Sequence, residues 1–260
     1  MPHVIVTGAS KGIGKEIARE LARRKHDLVL VARTQKLLEE LATELKQRHG
    51  VNAVPVALDL TDMASIDRLP GILDGRGISV TGLVNNAGFG TIGEFDTIDA
   101  STEDQMITLN VRALTRLTHL YIPRFKSARK GFVMNVASMA GLMPMAGMAT
   151  YSATKAFVVS FSRSLDAEYG RNGIQILCIC PGVTQTEFLD VQGANHSALP
   201  PGLMQGPKEV ARYAVEQLDA GATFGVPGTL NKIGAALAAV VPQGVIARLA
   251  YRITRPASKK

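Results

Sequence analysis

The 260-residue sequence has no tryptophan, and phenylalanine, tyrosine and cysteine are scarce, with eight, five and two copies. Two cysteines cannot build a disulfide framework. Cys178 and Cys180 stand two apart in the run IQILCICPG, a spacing that points both side chains to one face of a strand. That suits a reduced core, and with no further Cys or His nearby at ligand spacing no metal site is expected. No apolar run approaches the roughly 18 residues of a membrane-spanning helix. The start, MPHVIVTG, passes straight into a strand-like run without a basic-then-apolar leader, so a cytoplasmic setting is expected. Acid is missing from one region. Between Ala220 and Lys260 there are six basic residues (Lys232, Arg248, Arg252, Arg255, Lys259, Lys260) and no acidic one, within a total net charge of +7. The basic character therefore belongs to a tail, which argues against a nucleic-acid-binding body.

What is present is alternation. Six apolar runs, HVIVT, DLVLVAR, AVPVALDL, SVTGLVNN, GFVMNVAS and IQILCICPG, have the continuous hydrophobicity of parallel strands covered on both faces. Segments of helical periodicity separate them, such as TQKLLEELATELKQRHG with its glycine stop and STEDQMITLNVRALTRLTHLYIPRF. Strands alternating with helices predict an α/β protein, a doubly wound parallel sheet in a single domain.

The first strand leads into Gly8, Ser10, Lys11, Gly12, Ile13 and Gly14, and then into the helical stretch KEIARELARRKH. Strand, glycine-rich turn and helix present backbone N–H groups and a positive helix end to a diphosphate, although a tight turn uses the same residues. The second strand ends at Arg33. An acidic side chain there would take the ribose hydroxyls of NAD, whereas a basic one favours the 2′-phosphate of NADP. Arg33 with Lys11 thus points to NADP(H). Asp59 and Leu60 end the third strand, where the adenine would lie, and after the fourth Asn85, Asn86, Ala87 and Gly88 offer amides and little bulk beside a bound nucleotide, though a plain turn uses the same residues.

The stretch SMAGLMPMAGMATYSATK carries a hydroxyl, a phenol and an ammonium: Ser138, Tyr151 and Lys155. Ser138 lies at the carboxyl end of the fifth strand, where open α/β sheets bind ligands. Tyr151 and Lys155 are four apart, so on a helix they share a face. A fixed cation beside a phenol lowers its pKa from about 10, though such a pair is equally an ordinary solvated surface. Asn110, inside an apolar helical stretch, needs hydrogen-bond partners. Met139, Met143, Met145 and Met148 lie between Ser138 and Tyr151, and flexible thioethers suit a compliant apolar cavity as readily as a core. The Gly- and Pro-containing stretch from about 184 to 207, with Phe188, Leu189 and Leu203, is expected to act as a substrate lid.

TGASKGIG, Asp59, NNAG, Asn110, Ser138, the YSATK run and PGVTQTEF together resemble, in order and spacing, the short-chain dehydrogenase/reductase family in its compact one-domain branch. The resemblance covers roughly residues 3–190 and implies a three-layer Rossmann-type fold and an NADPH-dependent oxidoreductase acting on a hydrophobic ketone or ketoacyl-type carbonyl. It implies that Tyr151 is the acid/base, that Lys155 holds the nicotinamide ribose, and that Ser138 binds the substrate oxygen. Asn110 would hold a water that links Lys155 to solvent. Pro181, Gly182, Val183 and Thr186 would approach the nicotinamide, and Met139, Met145, Met148, Phe188 and Leu189 the substrate. A homodimer formed by the Asn110 and Tyr151 helices is also implied. A non-catalytic NADP(H)-binding sensor or scaffold is the competing reading, and intact Ser138, Tyr151, Lys155 and Asn110 argue against it. Residues 1–228 would form the catalytic domain. The tail, 229–260, departs from the family pattern. Its two apolar helical segments, split at Pro242, read either as a cap over the pocket or a partner subunit, or as a weak anchor on a membrane surface.

Overall fold

The computed structural model describes residues 2–185 and 204–254. Strands β1 (His3–Thr7), β2 (Asp27–Ala32), β3 (Ala53–Ala57), β4 (Val80–Asn85), β5 (Gly131–Val136), β6 (Ile174–Ile179) and β7 (Phe224–Gly225) form one sheet. Its order is β3-β2-β1-β4-β5-β6-β7, and every pairing is parallel. This is the expected three-layer Rossmann-type α/β fold. Its order reverses between β1 and β4, which opens a crevice beyond their carboxyl ends.

Alternation along the strands fills two cores. Val4 and Val6 of β1, with Leu28 and Leu30 of β2, face helices α1 (Gly12–Arg23), α2 (Gln35–His49) and α7 (Pro207–Asp219) through Ile17, Leu21, Leu41 and Leu218. Ile5, Val29 and Val31 point the other way, onto α3 (Met63–Asp74) and α5 (Leu114–Ala128) through Ile66, Leu69, Leu117 and Phe125. Each such side chain contributes about 1.5–3 kcal/mol by leaving water. Cys178 and Cys180 are buried free thiols with sulfurs 4.0 Å apart, on one face of β6 as their spacing requires.

Two features differ from the sequence reading. The seventh strand is a two-residue edge pairing, Cys178 with Phe224 and Ile179 with Gly225, too short to leave a periodic signal. The segment read as one long helix is α4 (Ala100–Ile107), a π turn over Thr108–Ala113, and α5. Helices α8 (Thr229–Val240) and α9 (Gln243–Thr254) break at Pro242 as expected, but α8 lies against the body. A Cβ on Gly234 would sit 3.6 Å from Met139 Cε, Ala235 packs against the same buried cluster as Met139 and Leu142, and the Tyr251 hydroxyl of α9 donates to Glu94 at 3.3 Å.

Candidate active site

The glycine turn is built for close backbone approach. Gly8 and Gly12 have φ of 65° and 55°, in the left-handed region that side chains with a Cβ avoid. Gly14 lies where a Cβ would meet Asn86 Nδ2 at 2.3 Å and the Gly8 carbonyl oxygen at 2.4 Å. No side chain caps α1 at its N-terminus, so N–H groups of its first turn lack a side-chain acceptor there. A turn without Cβ atoms at an uncapped helix end, in the crevice of a doubly wound sheet, fits a dinucleotide diphosphate. Lys11 and Ser10 belong to this turn. Arg33, just past β2, is exposed, as is Asp59 past β3, while Leu60 is buried. Asp59 accepts from Thr61 N and Oγ1, both at 2.8 Å, and those bonds hold its carboxyl below the usual range.

Asn86 turns out to be a clamp for this turn. Its amide donates to the carbonyls of Thr7 at 3.0 Å and Gly8 at 3.5 Å. Thr7, which the sequence reading passed over, ends β1 and joins the two loops: its hydroxyl donates to Val84 O and accepts from the backbone N–H groups of Asn86 and Ala87. Gly88 marks a second close approach, since a Cβ there would stand 2.8 Å from Asn110 Oδ1 and 3.5 Å from Lys155 Nζ.

Asn110 sits in the π turn at 1% exposure. π turns within α-helices recur at functional sites. Its amide is fully engaged, accepting from Phe89 N at 3.1 Å and donating to Phe89 O at 2.8 Å and Thr154 Oγ1 at 3.1 Å. Thr154 in turn donates to Tyr151 O at 2.7 Å. The side chain thus ties the turn after β4 to the Tyr151 helix, α6 (Ala149–Tyr169).

Ser138, past the end of β5, accepts from Ala140 N at 3.1 Å and caps the short turn Met139–Gly141. That turn rests directly on α6, because a Cβ on Gly141 would be 2.6 Å from the Lys155 carbonyl. The Tyr151 hydroxyl shares a hydrogen bond with Ser138. Lys155 Nζ donates to Val136 O at 2.9 Å and lies 5.8 Å from the centroid of the Tyr151 ring. Both side chains are buried, so the surface-pair reading fails. The electrostatics correct one expectation. The phenol is not lowered by the ammonium: burial pushes it up to about 12, against the opposing bond from Ser138. Burial likewise lowers Lys155 to about 8. Removing either charge from water costs more than the pair recovers at this separation. At neutral pH Tyr151 is a protonated, hydrogen-bonded acid.

Met139, Met145 and Met148 are half-buried, and Gly93 N donates to Gly147 O at 2.9 Å, closing the loop against the segment after β4. Pro181, Gly182 and Val183 follow β6. Thr184 bridges to Gln205, and Asn231 of α8 donates to Gln205 Oε1 and Pro227 O, both at 3.0 Å. A Cβ on Gly182 would strike Asn231 at 2.4 Å, so α8 is seated on the loop expected to approach the nicotinamide. Thr186, Phe188, Leu189 and Leu203, with most of the expected lid, lie outside the described residues.

The sequence model of the short chain dehydrogenase matches residues 2–196. The chain is 37% identical over 197 residues to a very-long-chain 3-oxoacyl-CoA reductase-B of Danio rerio, a match covering 72% of this chain and 61% of that protein. The chain thus spans about three fifths of that relative's length. Among solved structures, a short-chain dehydrogenase from Sphingobium yanoikuyae in complex with NADPH shares 32% identity and a TM-score of 0.82, over 100% of this chain and 99% of that one. A bulky-bulky ketone specific alcohol dehydrogenase from Comamonas testosteroni shares 31% identity and a TM-score of 0.78, over 94% and 96%. With the family model matched over three quarters of the sequence and the same fold in these structures, this chain belongs to the short-chain dehydrogenase family of oxidoreductases.

Proposed function

We propose that the protein is an NADPH-dependent reductase of hydrophobic ketone or ketoacyl-type carbonyls. The observation that carries this reading is the buried Tyr151 hydroxyl hydrogen-bonded to Ser138, beside Lys155, at the carboxyl end of the sheet. The NADPH bound by the Sphingobium neighbour supports the cofactor, and the names of the Danio and Comamonas proteins support a bulky or acyl-bearing carbonyl substrate.

The glycine turn would hold the diphosphate, Arg33 and Lys11 the 2′-phosphate, and Asp59 and Leu60 the adenine end. NADPH, when bound, supplies the hydride to the carbonyl carbon. The protein's part is to hold the carbonyl oxygen between Ser138 and Tyr151 and to deliver a proton there from the Tyr151 hydroxyl. The buried phenol is protonated at neutral pH and so is in the form that can donate as an alkoxide-like oxygen develops. Ser138 donates to the same oxygen and stabilises its growing charge. Lys155 would bind the nicotinamide ribose and resupply the phenol, through the water expected near Asn110. The half-buried methionines shape an apolar wall. A homodimer through α5 and α6 fits the exposure of Phe157 on α6, 38% exposed and stacked on Phe161.

The test is NADPH oxidation with a panel of aliphatic, aromatic and steroid ketones and 3-oxoacyl thioesters, beside small charged ketones. Turnover concentrated in the apolar members supports the reading. Preference for small charged ketones contradicts the substrate class, and no turnover with any member contradicts the activity.

A further inference from the structure

Helix α8 carries apolar side chains on more of its circumference than its packing uses. Asn231 and Ala238 are buried, Ala235 packs against the core, and Gly234 faces Met139. Leu230, Ile233, Leu237 and Val240 nevertheless stand 50%, 53%, 55% and 77% exposed. Their spacing of three, four and three residues aligns them in one stripe along the helix, and Val245 of α9, 46% exposed, extends the apolar surface past Pro242. A helix whose free face meets only water carries polar residues there, so a stripe of this kind is built to be covered.

Charge indicates by what. From Ala220 to the end there are six cations and no acid. A second copy meeting this face about a two-fold axis would set the same patch against itself, and the region has no carboxylate of its own to pair with its cations. An anionic bilayer has the complementary chemistry: an apolar interior for the stripe and negative headgroups for the cations.

We propose that the outer face of α8, with the cationic end of the chain, docks the protein on an anionic lipid surface. The inner face of the same helix rests on the Met139 loop, so docking would place the bilayer one helix thickness from the candidate catalytic centre. The surface stands independently of the reductase reading, because the stripe lies on exposed positions of α8 and includes none of the residues assigned to cofactor or catalysis.

The test is flotation of the full chain with vesicles of mixed phosphatidylcholine and phosphatidylglycerol, against phosphatidylcholine alone. The expected result is binding to the mixed vesicles at low salt that fades at high salt. Leu237→Glu with Val240→Glu, both at exposed positions, should lower partitioning by at least about ten-fold while the melting temperature stays unchanged, since apolar insertion is what they remove. Arg248→Gln with Arg255→Gln should lower it by about five-fold per cation on the mixed vesicles only. Absence of flotation with mixed vesicles at low salt would overturn the proposal, as would flotation indifferent to the stripe variant. Light scattering in which the stripe variant splits a dimer in lipid-free solution would also overturn it, by assigning the face to a second copy.

Discussion

Replacing Lys155 by methionine should make the protein more stable at pH 7 while stopping turnover. The ammonium is 6% exposed and has a protein acceptor in Val136 O at 2.9 Å, and it titrates near 8 instead of 10.5. Carrying the charge into the folded state therefore costs about 3 kcal/mol of folding stability at pH 7, relative to the same ammonium in the unfolded chain. Methionine has a similar length and no charge, and leaving the Val136 carbonyl without its donor returns about 1 kcal/mol of that gain. The net expectation is a variant more stable by about 2 kcal/mol, or a melting temperature raised by about 5 °C in a chain of this size. The pH dependence gives the sharper check. Between pH 8 and 10.5 the unfolded chain still binds the proton that the folded chain has released, so wild-type stability from this group rises with pH through that window. The penalty is fully present below about 8 and gone above 10.5, so the variant's advantage should shrink through this range and turn into a small deficit. Urea unfolding of both proteins without cofactor at pH 7, 8.5 and 10 measures it. A Lys155→Met protein less stable than wild type at pH 7, or a difference that ignores pH, would refute the argument.

Three further substitutions probe the frame around this centre. Gly14→Ala would drive a Cβ to within 2.3 Å of Asn86 and 2.4 Å of the Gly8 carbonyl, so unfolding should be easier by about 1–3 kcal/mol and NADPH binding, followed by fluorescence titration, should weaken. Arg33→Asp should raise the Kd for NADPH much more than that for NADH; equal changes would remove Arg33 from contact with a 2′-phosphate. Asn110→Ala orphans both Phe89 backbone groups, and denaturant melts should show a loss of about 2–3 kcal/mol, with kcat falling because the turn is no longer tied to Tyr151's helix.

The parallel sheet was legible because its strands are buried on both sides: runs such as DLVLVA and IQILCI leave no polar periodicity to misread. Gly8, Gly12 and Gly14 were legible as a turn, and Pro242 as a helix break, because both residue types act locally. The π turn was not, since the same residues favour an α-helix, and the Asn110 bonds made there reach Phe89, 21 residues away. The clamp of Asn86 on Gly8 and the seat of Asn231 on Gln205 likewise join distant segments, and no spacing rule announces them. The direction of Tyr151's pKa depends on how deeply α6 is covered. Spacing alone could place Lys155 nearby, but it could not show that burial outweighs the ammonium.

The central claim, that Tyr151 is the proton donor to a carbonyl held by Ser138, is tested most directly by Tyr151→Phe. The ring and its packing remain, so NADPH affinity and thermal stability should be close to wild type. With the best ketone from the panel, NADPH oxidation should fall by about 10²–10⁴-fold, the usual contribution of a positioned acid. Substrate-dependent oxidation at near wild-type rate in this variant would contradict the account.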